Sequence, residues 1–205
     1  MNISYFRKSS FDLKKTLENV KKEAKSKGLK VVGEVELPNG NGEAITLYDP
    51  TWLGNLVASD PNLVGLLPSL IVVFQKDDEV KIGVGSADVL GSISHNPAIA
   101  QIASQVGKTF KELINKSAGV EPLKPTNIKL YSTMTCPYCK MEKSWLDSKG
   151  IKHEVVYVDL NQKEAEKMVE KTGQMGVPVT EIQYDDSEEF IVGFDKGKLS
   201  DILGI

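Results

Sequence analysis

Residues 127–140 read NIKLYSTMTCPYCK, and they hold the only two cysteines of the 205-residue chain, Cys136 and Cys139. Ile128, Leu130 and Ser132 alternate with Lys129 and Tyr131, which predicts a strand running into the motif. Thr135 is expected to cap a helix, with Pro137 near its first position, where a missing N–H costs nothing. Met141, Trp145 and Leu146 are expected to form the apolar face of this helix, and Gly150 to end it. A cysteine at a helix N-terminus meets unpaired N–H groups and the positive end of the helix dipole, which favour the thiolate. Cys139 lies one turn further on, placed to attack a mixed disulfide on Cys136 and expel the partner.

The rest of the second half extends the pattern. HEVVYVDL (153–160) reads as a strand and NQKEAEKMVEKTG (161–173) as a helix, with Asn161 as cap and Ala165, Met168 and Val169 on its buried side. VPVTEIQY (177–184) and EEFIVGF (188–194) form a hairpin, and KGKLSDILGI (196–205) a last helix. A helical crossover makes the first two strands parallel, while the hairpin adds antiparallel ones, so a mixed four-stranded sheet between helices is expected.

The stretch NKSAGVEPLKPTN (115–127) marks a boundary, giving domains 1–118 and 127–205 with a linker at 119–126. In the first half, FDLKKTLENVKKEAKSKG (11–28) is amphipathic through Phe11, Leu13, Leu17, Val20 and Ala24. Strands are expected at 29–37, 43–50, 69–75 and 79–85, apolar helical pieces at 51–68 and a closing helix at 96–116. This is an α+β domain with a mainly antiparallel sheet and helices on one face. Residues 83–92, GVGSADVLGS, lack both the G-x-G-x-x-G pattern and the following helix of a phosphate cradle.

Composition narrows the function classes. With 40% hydrophobic and 26% charged residues and a net charge of −3, the chain reads as globular, with no basic stripe for nucleic acid. The longest apolar stretch, 63–74, carries Pro68 and falls short of the roughly 20 residues that span a bilayer. The N-terminus has no continuous apolar region of a signal peptide, so a cytoplasmic location and no membrane partner are expected. A lone cysteine pair in a reducing compartment points to catalysis or metal binding. A structural zinc needs four ligands. The chain offers one C-x-x-C, His95 in a loop and His153 at a strand's solvent edge, so no metal site within one chain is expected, while one shared between two subunits stays open.

Three segments in order, LYSTMTCPYCK, TGQMGVPV and VGFDKGKL, resemble the glutaredoxin family over about 127–205, and more narrowly the small glutaredoxin-like redoxins of bacteria and archaea. The resemblance implies a thioredoxin-like α/β/α fold and a thiol–disulfide oxidoreductase that reduces protein or low-molecular-weight disulfides. Cys136 and Cys139 would be catalytic and form the redox-active disulfide. Val177 and Pro178 match the cis-proline turn that pairs with substrate backbone, and Gly193, Phe194 and Asp195 match the segment holding the γ-glutamyl end of glutathione. Tyr138 and Gln174 are further expected substrate contacts. No tightly bound cofactor is implied. Thr133 stands where many glutathione-using members carry a lysine, so the electron donor stays open between glutathione and a flavoenzyme reductase. An iron–sulfur carrier, with a cluster shared between two protomers, is the alternative reading. The intact CPYC argues against it.

The first half is similar, over roughly 3–117, to the domain of unknown function family 302, through its first helix, the LYDP segment (47–50) and LLPS-LIVVF (66–74). That resemblance implies a small α+β domain and a homodimer through this half, and its fusion to a redoxin that could fold alone raises a binding or sensing role for it. It implies no reaction. Tyr48, Asp49, Pro50 and Pro68 match its distinctive positions, with turn formation as their simplest role.

Overall fold

The computed structural model describes residues 4–67, 69–94, 96–185 and 187–205. It divides into two compact units, one ending at Pro122 and the other running Leu123–Ile205. Pro68 and His95 lie outside the described residues.

The first unit contains strands β1 (Ser4–Lys8), β2 (Lys30–Glu36), β3 (Gly42–Tyr48), β4 (Leu70–Lys76) and β5 (Glu79–Gly85). They form one antiparallel sheet in the order β1-β5-β4-β3-β2. Its helices are α1 (Leu13–Ser26), α2 (Pro50–Ser59), α3 (Asp88–Ile93) and α4 (Pro97–Ala118). Alternation along the central strands turns Ile45, Leu47, Ile71, Val73, Ile82 and Val84 inward against Val20, Ala24, Ile99, Phe110 and Leu113 of the helices. Asp49 accepts hydrogen bonds from the amides of Thr51 (2.7 Å) and Trp52 (3.2 Å), and Pro50 opens α2, so the LYDP segment is a helix start.

Three expectations for this unit are corrected. β1 was not anticipated, because its five residues SYFRK place an arginine on the inward side. That charge is satisfied by oxygens: Arg7 Nη1 donates to Asn115 Oδ1 (2.8 Å) and to the carbonyl of Glu121 (3.0 Å). The first helix starts after Asp12, which accepts from the Lys15 amide. Phe11 therefore precedes it and is exposed, while Thr16, Val20 and Ala24 form the buried stripe. A short helix of six residues, α3, forms within the glycine-rich stretch, over its second half and one residue beyond.

At Gly42 the neighbouring strand β4 leaves no room for a side chain. A Cβ there would collide with the carbonyl of Val73 and stand 2.7 Å from Phe74 Cα. Gly42→Ala is therefore expected to cost this unit about 3 kcal/mol and lower its melting temperature by roughly 10 °C. Gly33→Ala, whose Cβ would meet nothing closer than 3.8 Å, should barely move it. Equal melting curves for the two variants would contradict the packing.

The second unit runs β6 (Asn127–Ser132), α5 (Pro137–Ser148), β7 (Glu154–Tyr157), α6 (Gln162–Thr172), β8 (Val179–Gln183), β9 (Glu188–Val192) and α7 (Lys196–Leu203). The sheet order is β7-β6-β8-β9, with β6 and β7 parallel and the other pairs antiparallel. This is the thioredoxin-like α/β/α arrangement. Tyr131, Val156, Val179 and Phe190 pack with Met168 of α6 on one face. Ile182 and Ile191 pack with Trp145 of α5 and Leu199 of α7 on the other.

Two side chains placed on buried faces are exposed, Met141 and Val169. On α5 the inward positions are Cys139, Glu142 and Leu146, a spacing of three and then four. A glutamate thus occupies the interior position assigned to a methionine, because the hydrogen bond it finds there (below) offsets part of the burial cost. His153 is also tucked in rather than at a solvent edge. Its side chain is 5% exposed, and Nδ1 lies 2.9 Å from the Ile151 carbonyl oxygen.

Candidate active site

Strand β6 delivers the chain to the CPYC turn, and the loop between them is pinned by the Met134 amide donating to Asp159 Oδ2 (3.1 Å). The N-cap of α5 is Cys136 itself, in place of Thr135, with Pro137 in the first turn. The amide of Cys139 donates to Cys136 Sγ at 3.1 Å, so one of the orphan donors of the helix points at this sulfur. Cys136 is half-buried, whereas Cys139 is 1% exposed. The two sulfurs are joined as a disulfide across a Cα–Cα distance of 5.4 Å.

The Val177–Pro178 peptide is cis. It brings the Val177 carbonyl oxygen to 3.8 Å from Cys136 Sγ. The Gly193 amide donates to the Pro178 carbonyl (2.9 Å), which ties the β9–α7 turn to the proline loop. Gly193 has a φ of 79°, a conformation that a side chain would strain. Phe194 meets Trp145 edge-on at 6.1 Å, and Asp195 caps α7 through the Lys198 amide (3.0 Å). Cys136, Cys139, Val177, Pro178 and Gly193 are therefore gathered, with Phe194 and Asp195 next to them in the chain. Tyr138 and Gln174 are exposed, and the Gln174 amide is engaged by Thr172 Oγ1 (3.1 Å). Beside Cys139 a cavity of about 190 Å³ opens between Thr133, Lys140, Lys143 and Tyr157.

Sequence reasoning passed over Glu142. It is fully buried, Thr180 Oγ1 donates to its Oε1, and Oε2 has no partner among the described residues. Burial pushes its carboxyl up to about 7, with the Thr180 hydrogen bond pulling the other way. The signal was present in the sequence: Cys139, Glu142 and Leu146 share one helix face. On the opposite side of the sheet, Tyr131 Oη donates to Glu181 Oε2 at 2.6 Å. Burial works to raise the Glu181 carboxyl, but hydrogen bonds from Tyr131 and Gln183 outweigh it and hold the group below its usual range. The Tyr131 phenol is pushed up by burial and by this carboxylate.

Among the described residues no helix is long and apolar enough to cross a membrane. The glutaredoxin family model matches residues 128–185. An uncharacterized glutaredoxin-like 8.6 kDa protein in the rubredoxin operon of Clostridium pasteurianum is 42% identical over 76 residues, 37% of this chain and 96% of that protein. Glutaredoxin 3 of Escherichia coli K12 is 36% identical over 52 residues, 25% of this chain and 63% of that protein. The first half has a structural neighbour in a conserved DUF302 protein from Bacillus stearothermophilus, with a TM-score of 0.53 and 17% identity over 57% of this chain and 99% of that one. This neighbour shows the fold of the first unit alone. The near-complete coverage of the clostridial relative falls on the unit that carries the CPYC turn, and through that unit the chain belongs to the glutaredoxin family.

Proposed function

We propose that the protein reduces protein or low-molecular-weight disulfides by dithiol exchange at Cys136 and Cys139. The observation that carries this reading is the position of Cys136: it caps α5, accepts the Cys139 amide, and faces the backbone of the cis-proline turn. In the reduced protein the Cys136 thiolate attacks one sulfur of the substrate, and the other leaves as a thiolate and takes a proton from water. Cys139 then bonds to Cys136 and expels the remaining substrate thiolate, leaving the disulfide seen here. The Val177 backbone, with the Gly193, Phe194 and Asp195 segment and the exposed Tyr138 and Gln174, forms the substrate surface around it. Electrons return from glutathione or from a flavoenzyme-coupled dithiol, in a cytoplasmic setting that keeps thiols reduced.

The reading predicts that Cys139→Ser accumulates a one-to-one mixed disulfide with a model disulfide substrate, read by intact mass. Cys136→Ser should accumulate none. Trapping on Cys139 in the Cys136→Ser protein would reverse the roles. Comparing reduction rates with glutathione and with a flavoenzyme-coupled donor identifies the electron source.

A further inference from the structure

The first turns of α5 cover a carboxylate that the exchange chemistry above does not use. Cys139 is 1% exposed, and Glu142, three residues on, is fully buried. Side chains of a helix lean toward its N-terminus, so Glu142 reaches back over the turn that carries Cys139. Its Oε1 is held by Thr180, two residues beyond Pro178, and its Oε2 has no partner among the described residues.

Among the described residues no basic side chain pairs with this group. β6 presents Ile128, Leu130 and Ser132 on this side, β7 presents Val155 and the phenol of Tyr157, and β8 presents Thr180 and Ile182. β9 presents Ile191 and, at its far end, Glu189, which Tyr184 engages at 3.4 Å, while α7 presents Leu199. Lys129, Tyr131 and Glu181 lie on the other face of the sheet. On α5 itself Lys140 and Lys143 are exposed, and Lys143 pairs with Asp147 at 2.7 Å. An ionised carboxylate enclosed in this way carries a substantial desolvation cost, which an apolar side chain at the same position would not.

We infer that Glu142 is the proton acceptor and donor for Cys139, an inference that rests on the dithiol-exchange reading. When Cys136 holds a substrate sulfur, the Cys139 thiol passes its proton to the free oxygen of Glu142. The Cys139 sulfur bonds to the Cys136 sulfur, the bond to the substrate sulfur breaks, and the substrate thiolate leaves with the electron pair and is protonated by water. When an incoming thiol reduces the disulfide at Cys136, the electron pair stays on Cys139 and Glu142 returns the proton. Its carboxyl, raised to about 7 by burial, can do both near neutrality.

The test uses the full-length reduced protein and the chromogenic disulfide 5,5′-dithiobis(2-nitrobenzoate) in stopped flow. The first release of nitrothiobenzoate reports attack by Cys136, and the second reports resolution by Cys139. Over pH about 5 to 9 the second rate should rise through an inflection near 7 in the wild type. Glu142→Gln should slow it at least about tenfold at neutral pH and move the inflection toward that of a free thiol, about 8.5. Thr180→Val removes the bond that favours the ionised carboxylate, so its inflection should move upward. Superimposable second phases for wild type and Glu142→Gln, or a Thr180→Val inflection that stays in place, would overturn the inference and assign the proton to water in the cavity beside Cys139. Loss of the first phase in the wild type would instead overturn the dithiol-exchange reading.

Discussion

Cys136→Ser is expected to lower disulfide reduction by the full-length protein at least about a thousandfold, with the fold intact. The nucleophile is a thiolate, and a serine hydroxyl stays protonated at neutral pH and attacks sulfur poorly. Cys139 does not replace it, because it is 1% exposed and lies behind Cys136. Folding should survive because serine is itself a favoured N-cap, and its oxygen can accept the Cys139 amide that the sulfur accepts now. The measurement is turnover of a disulfide substrate beside a thermal melt. Unchanged turnover would remove Cys136 from the chemistry, whereas lost turnover together with a collapsed melt would indicate a structural role.

A second large effect concerns stability and pH. In the unfolded chain the Glu142 carboxyl titrates near its usual value of about 4.3. In the folded protein burial raises it to about 7. Between those values the folded state holds a proton that the unfolded state has released, so stability falls as pH rises through this window. The slope reaches roughly 1.4 kcal/mol per pH unit, for a total of about 4 kcal/mol above neutrality. Below about pH 4.3 both states are protonated and the effect vanishes. Glu142→Gln, neutral at every pH, should therefore exceed the wild type in stability by about 1–3 kcal/mol at pH near 8 and match it at pH near 4. Native-state hydrogen exchange of the α5 and β8 amides in the full chain reads the second unit directly. Parallel pH profiles for the two proteins would show that Glu142 does not titrate within the interior.

A group that destabilises the folded state at the pH where the protein works needs a reason to be there. The inferred proton exchange with Cys139 is such a reason. It also couples the two experiments, since the pH at which stability is lost and the pH at which resolution accelerates should share one inflection.

Much of this was legible in the sequence. The β6–CPYC–α5 passage follows from alternation, a proline one residue after Cys136 and helical spacing, all local properties. Asn161 caps α6 as expected, accepting from the Glu164 amide at 3.2 Å, whereas Asp49 and Pro50, read as the end of a strand, open α2. The misses have a common form. Met141 and Glu142 are adjacent, and hydropathy alone assigns the interior to methionine. Thr180, 38 residues away, is the partner that lets the glutamate go inside. Likewise β1 reads as polar until Asn115, 108 residues on, supplies an acceptor for Arg7.

By itself, then, the sequence determined most of the helices and strands, though not β1 or α3, a boundary in pattern and composition near 119–126, and that Cys136 heads a helix with Cys139 one turn behind. These depend on residues within a few positions of one another. Only the tertiary structure decided that the Val177 carbonyl faces Cys136, that Gly193 ties its turn to the proline loop, and that Glu142 is sealed under Thr180. Each of these depends on contacts between residues distant in the chain, whose worth is set by desolvation and hydrogen bonding in a packed interior.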